Sequence, residues 1–101
     1  MQKDYTMYSD PAHGWLAVPW EDARELGIFR DITCFSYVSR DLKTLYLEED
    51  CDASLFMDAY KDKFGSYPKI GEHYTDDREK IRSYPSVANV NFSKVNIVGV
   101  R

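Results

Sequence analysis

The residues best equipped for chemistry lie close together. Glu48, Glu49, Asp50 and Asp52 surround Cys51 inside the stretch Thr44–Gly65, TLYLEEDCDASLFMDAYKDKFG. Carboxylates this dense admit three readings. They can hold a hard cation such as Mg²⁺, which takes carboxylate oxygens. They can mimic nucleic-acid phosphates and occupy a basic groove on a partner protein. They can also cap a helix and offset its dipole, the plainest use of acids at a helix start. Metal-assisted hydrolysis would require further acids, or a Lys or His base, converging on the ion. None stands at a diagnostic spacing, so no metal and no cofactor are assigned.

Cys51 falls at a helix N-terminus, where a thiol pKa is lowered. The surrounding acids oppose the thiolate, and acyl transfer would need His13 or His73 as partner. A packing role, or none, is therefore expected. His13 lies in Asp10-Pro11-Ala12-His13-Gly14-Trp15. With Trp15 it is a candidate binding pair, and it could equally fix the turn by hydrogen bonding. His73 reads as a surface residue. Arg78, Lys80 and Arg82, near Tyr74 and Tyr84, form a basic and aromatic set of the kind that holds phosphates and stacks bases. Asp76, Asp77 and Glu79 interleave with them, which also fits a solvated charged segment. Phosphate-loop and dinucleotide fingerprints are absent. Cys34 and Cys51 form no C-x-x-C or Cys/His cluster, so no zinc site is expected. No catalytic residue is assigned.

The elements that position these groups follow from local pattern. Asp4–Ser9 and Gly14–Val18 read as two strands, joined in a hairpin around DPAHG. Pro19 opens a short helix, about 19–26, with Glu21 and Asp22 in its first turn and Gly27 as its stop. Asp31–Ser39 reads as a strand with an aromatic face of Phe35 and Tyr37. Thr44–Glu48 is the next strand. The main helix, about 51–64, carries Ala53, Phe56, Met57, Tyr60 and Phe64 on one stripe. Asp50 or Asp52 is its expected N-cap and Gly65 its left-handed end. Residues 67–75 lead into an edge strand. Asp76–Arg82 reads as a turn of helix that Tyr84-Pro85 breaks. Residues 86–101 read as one or two late strands, or as a tail docked on a sheet edge. The expected fold class is α+β, a mainly antiparallel sheet crossed by one main amphipathic helix and accompanied by one short helix.

The chain of 101 residues is expected to form a single domain, 1–101. Its hydrophobic content of 44% and charged content of 30% are ordinary, whereas eight tyrosines raise the aromatic share to 15%. Tyrosine, apolar in body and polar at its tip, suits half-buried sheet faces and binding surfaces. No apolar run is long enough to span a bilayer, and MQKDYTMYSD lacks a signal-peptide core, so a cytoplasmic location is expected. The net charge of −4 is uneven: residues 1–60 hold five Lys/Arg against twelve Asp/Glu, and residues 61–101 hold eight against five. These parts could neutralise each other or present faces of opposite sign.

The chain resembles a family of small phage and prophage proteins with a DPGHGWL…YSY…YLEEDCD…R-x-Y pattern. The matching residues are Asp10-Pro11-Ala12-His13-Gly14-Trp15-Leu16, Phe35-Ser36-Tyr37, Tyr46-Leu47-Glu48-Glu49-Asp50-Cys51-Asp52 and Ile81-Arg82-Ser83-Tyr84. Ala12 stands where the pattern has glycine and Phe35 where it has tyrosine. The likeness covers about residues 5–85. It implies a counter-defence role, with anti-CRISPR proteins directed at type II (Cas9-like) ribonucleoproteins as the favoured example.

The expected function is a non-enzymatic, phage-encoded inhibitor of a host defence nuclease. Glu48, Glu49, Asp50 and Asp52 are its expected acidic contact. The first alternative is a small nucleic-acid-binding module using Arg78, Lys80 and Arg82. The second is a small metal-dependent enzyme around His13 and the acidic corner.

Overall fold

A computed structural model of the chain describes residues 4–74 and 80–90. Strand β1, Asp4–Ser9, pairs antiparallel with β2, Gly14–Pro19. The hairpin turn is built by Asp10, whose Oδ1 accepts the backbone N–H groups of Ala12 and His13, both at 2.9 Å. Helix α1, Trp20–Glu25, follows at once, with Pro19 as its N-cap and Gly27 in the left-handed region at φ 72°.

The next segment departs from expectation. Instead of one strand over 31–39, only Tyr37–Val38 is paired as strand β3, and Phe29–Asp31 forms a 3-10 turn. Side-chain hydrogen bonds compete with strand ladders for polar residues. Here Thr33 and Ser36 are drawn to the Asp52 carboxylate, and the chain folds around it. Strand β4, Thr44–Glu48, pairs with both β3 and β2. Helix α2, Ala53–Phe64, ends at Gly65 with φ 85°, the expected left-handed stop. Strand β5, Lys69–Tyr74, completes a sheet of order β3-β4-β2-β1-β5.

The β1–β5 pair is parallel and the other pairs are antiparallel. A parallel arrival needs a long crossover, and α2 supplies it by carrying the chain across the sheet from β4 to β5. The fold is α+β with a mixed, mostly antiparallel sheet.

Cross-strand partners share a face, so the register sorts the sheet. One face carries Tyr5, Leu16, Val18, Val38, Leu45 and Leu47, all buried. Against it lie Phe56 and Tyr60 of α2, and Tyr5 meets Phe56 edge-on at 4.8 Å. Tyr5 also donates to Asp22 of α1 at 2.8 Å. Burial pushes the Asp22 carboxyl up, against that hydrogen bond, and pushes the Tyr5 phenol far above its ordinary value.

The other face is aromatic: Tyr8, Trp15, Tyr37 and Tyr46. Tyr84 stacks on Tyr46 at 5.4 Å, and burial, reinforced by Tyr84 and Tyr8, pushes the Tyr46 phenol up to about 12. A 3-10 turn, Lys80–Ser83, precedes Tyr84 and places Arg82 against Trp15. The chain then docks on the β3 edge: Val38 N–H donates to Pro85 O at 3.0 Å and Val87 N–H to Ser36 O at 2.9 Å. Residues 86–90, the described start of the segment 86–101 read as late strands or a docked tail, thus begin at a sheet edge, and Val87–Asn89 is a 3-10 turn. The expectations for residues 75–79 and 91–101 lie outside the described residues. Among the described residues, no helix is long and apolar enough to cross a membrane.

Candidate functional site

A cleft of about 470 Å³ opens on the aromatic face, beside the β4–α2 corner. The β1–β2 turn and the start of β2 contribute His13 and Trp15. The wound segment before β3 contributes Cys34, Phe35 and Tyr37. The corner contributes Glu48, Asp50 and Cys51, and the Lys80–Ser83 turn contributes Arg82. Residues far apart in sequence thus meet at one place, and five of the sequence-predicted site residues, His13, Trp15, Glu48, Asp50 and Arg82, are among them.

The acidic cluster does not act as one patch. Asp52 is fully buried, which corrects its expected role as a surface contact. It is the N-cap of α2 by position, yet its carboxylate accepts no capping bond from that helix. It accepts instead from Thr33 N–H at 3.0 and 3.1 Å, from Thr33 Oγ1 at 2.8 Å and from the Ser36 hydroxyl. Ser36 Oγ in turn accepts the Glu48 N–H at 2.9 Å. A buried carboxylate is tolerable only when so many donors replace water. Asp52 is thus the rivet that joins the cleft wall to the corner.

Glu48 is also largely buried, a second correction to the patch. Its Oε1 accepts the Asp50 N–H at 2.7 Å, and its Oε2 lies 3.6 Å from His13 Nδ1. The exposed acids are Glu49 and Asp50. Glu49 N–H donates to Gly14 O at 2.9 Å, and its carboxylate lies so close to Gly14 that a Cβ there would meet Oε1 at 3.1 Å. A side chain at 14 would make the exposed Glu49 carboxylate shift by a few tenths of an ångström.

Arg82 is not a free basic contact. Its Nε donates to Asp10 Oδ2 at 2.9 Å and its terminal nitrogen to Asp10 Oδ1 at 3.1 Å, with the guanidinium 5.3 Å from the Trp15 ring. This paired, stacked geometry commits the charge. The expected trio is thereby reduced: Arg82 is engaged, Lys80 is exposed, and Arg78 lies outside the described residues. Asp10–Arg82 and Lys63–Glu25 link the acidic first part of the chain to the basic last part, so some of that opposite charge is neutralised internally.

The Asp10 carboxyl is held well below the usual carboxylate range, first by the Arg82 hydrogen bonds and then by the His13 N–H. A depressed acid contributes stability above its ordinary pKa and loses it as pH falls through the folded value. Arg82→Ala should therefore lower stability at neutral pH. The deficit should narrow as the pH falls below the ordinary carboxylate range and close only below the much lower folded value, where Asp10 is protonated in both proteins. Urea midpoints measured from pH 7 down to about 2 check this, and a deficit that does not narrow over that range would assign the effect to packing on Trp15 instead.

Chemistry at the two thiols is restrained. Partial desolvation and the adjoining Glu48 carboxylate push the Cys51 thiol up, the wrong direction for a nucleophile. Among the described residues no three His, Cys, Asp or Glu side chains are placed to hold a metal ion. Phe35, 60% exposed, stands at the cleft with Asp50, whose carboxylate has no partner among the described residues.

In the sequence Asp10 reads only as a turn former, and Phe35 and Tyr37 as one face of a long strand. The uneven charge distribution was the available signal for a pair such as Asp10–Arg82. Thr33 and Ser36, small and polar inside a β-prone run, were the signal for the wound segment. No family model, curated protein or solved structure matches the chain. What fold and site define together is a small α+β protein with an aromatic cleft rimmed by carboxylates.

Proposed function

We infer that this protein is a non-enzymatic inhibitor that works by binding a partner protein at the mouth of the cleft. The observation that carries this reading is the pairing of an exposed aromatic, Phe35, with the unpartnered carboxylate of Asp50 and the exposed Glu49 beside it. Aromatic residues are enriched in the centres of protein interfaces and polar groups at their rims. Acids at that rim suit a basic partner surface, such as the nucleic-acid groove of a nuclease. The resemblance to phage proteins supplies the finer reading: a host defence ribonucleoprotein, with type II (Cas9-like) effectors favoured, met in the host cytoplasm. Inhibition would then be steric, by occupying a groove that nucleic acid needs. The nucleic-acid-binding alternative is weakened because Arg82 is already paired with Asp10.

The test is charge reversal at the two exposed acids. Glu49→Lys with Asp50→Lys should abolish inhibition of nuclease cleavage and slow association at low salt by about 10-fold or more, since complementary charge mainly steers encounter. The circular dichroism spectrum and urea midpoint should stay close to wild type, because both side chains face solvent. Full inhibition by the folded variant would remove the acidic mouth as the contact.

A further inference from the structure

The cleft has a definite chemical preference. Its aromatic members, Trp15, Phe35 and Tyr37, come from β2 and from the segment wound around Asp52. Its carboxylates, Glu48 and Asp50, come from the corner between β4 and α2. The cationic member, Arg82, is matched by the bidentate Asp10 carboxylate, so the unmatched charge in the cleft is negative. Aromatic faces attract cations through their quadrupole, and a desolvated site strengthens that attraction. The volume, about 470 Å³, falls in the range of pockets that take a small ligand or a long side chain.

We propose that this cleft is a receptor for an arginine side chain of the partner protein. The guanidinium would lie between Phe35 and Tyr37, with Asp50 and Glu48 Oε2 as acceptors. Asp50 is the stronger candidate, because it is exposed and unpartnered among the described residues, whereas Glu48 already accepts the Asp50 N–H. Arginine suits the site better than lysine: it is planar, stacks on aromatic faces and donates to carboxylates in a fork. The internal arrangement gives a precedent, since Arg82 already stacks on Trp15 while forking onto Asp10. The proposal deepens the partner-binding reading and rests on it. It says what the partner offers: an arginine projecting from its basic surface.

The probes are three capped tripeptides, glycine–X–glycine, with X as arginine, lysine or citrulline. Citrulline keeps the shape of arginine without its charge. Nuclear magnetic resonance titration of the whole chain reads the Trp15 indole N–H, assigned with Trp15→Phe, and the backbone amides of residues 34–37 and 50. The arginine peptide should give saturable shifts at those positions. The citrulline peptide should bind about tenfold more weakly or worse, as expected when a charge-assisted contact is lost. Asp50→Asn should weaken the arginine peptide by a similar factor, and Phe35→Ala should reduce its preference over lysine. Equal shifts with arginine and citrulline, or none that saturate, would overturn the proposal. So would a short single-stranded oligonucleotide that shifts the same resonances more strongly, which would assign the cleft to phosphate on Arg82. The nuclease assay separates the two readings. Inhibition that survives Asp50→Asn and Phe35→Ala, without arginine binding, sinks the arginine site alone. Arginine binding without any inhibition sinks the inhibitor reading alone.

Discussion

Asp52→Ala should destabilise the protein by about 2–4 kcal/mol, because a buried donor left without its acceptor costs roughly 1–3 kcal/mol. The carboxylate is inaccessible to solvent and serves the Thr33 amide, the Thr33 hydroxyl and the Ser36 hydroxyl together. The hydroxyls can rotate to other acceptors, whereas the Thr33 amide is held by its backbone. The loss should therefore concentrate at the segment before β3. Hydrogen exchange should quicken first at residues 33–37, since local openings follow the weakest cooperative unit. Asp52→Asn retains one carbonyl acceptor of the same shape and should cost roughly half as much. Urea unfolding of the three proteins at a common slope checks the order. An alanine variant within about 0.5 kcal/mol of wild type, the range of ordinary surface substitutions, would show that the rivet does not hold the corner.

The same variant bears on function at one remove. Cys34, Phe35 and Tyr37 form a wall of the cleft, and Asp52 reaches that wall through Thr33 and Ser36. Loosening the wall should weaken partner binding even though Asp52 cannot touch a partner. An acidic-patch variant at position 52 would thus mimic a contact mutant. Comparing Asp52→Asn, which keeps the wall better, with Asp52→Ala distinguishes positioning from contact.

Phe56→Ala should cost about 3–5 kcal/mol, the range for removing a buried aromatic from a core. Phe56 is fully buried beneath the sheet, with Tyr5 at 4.8 Å and Tyr60 at 5.9 Å between ring centroids. Both neighbours are held in place, Tyr5 by Asp22 and Tyr60 by its own helix, so the vacated space cannot collapse fully. A domain of this size has total stability of only about 5–15 kcal/mol, and each kilocalorie shifts its melting temperature by about 4–8 °C. The variant should therefore melt well over 10 °C below wild type, if it folds at all. Phe56→Leu should recover much of the loss, since it refills most of the volume. Calorimetry on both variants checks the pair of values. A small effect for alanine would mean that α2 packs on the sheet through other residues.

Much of the architecture was legible because local signals and burial agree. Leu45 and Leu47 of Thr44–Glu48 are buried, and of the helical stripe Ala53, Phe56, Met57, Tyr60 and Phe64 the first, second and fourth are buried, Met57 is half-buried and Phe64, in the last turn, is 47% exposed. Gly65 sits in the left-handed region that a helix stop requires. The failures share one cause: polar side chains with distant partners. Thr33 and Ser36 look like strand residues until Asp52 arrives from the far side of β4. Arg82 looks like a free cation until the hairpin turn presents Asp10.

The sequence by itself therefore determined the elements whose forces act within a few residues. These are the β1–β2 hairpin with its Asp10 turn, the helix after the acidic corner and the excess of acid in the first part of the chain. It also determined that Glu48, Glu49, Asp50 and Asp52 would stand together. Only the tertiary structure decided which of them face water. Asp52 and Glu48 turn inward because donors from Thr33, Ser36 and the chain itself replace their hydration. Glu49 and Asp50 remain outside, one beside Gly14 and one at the rim of the cleft. The acids are adjacent in the chain, but their solvation depends on residues that folding brings from elsewhere, and no pattern of spacing encodes that.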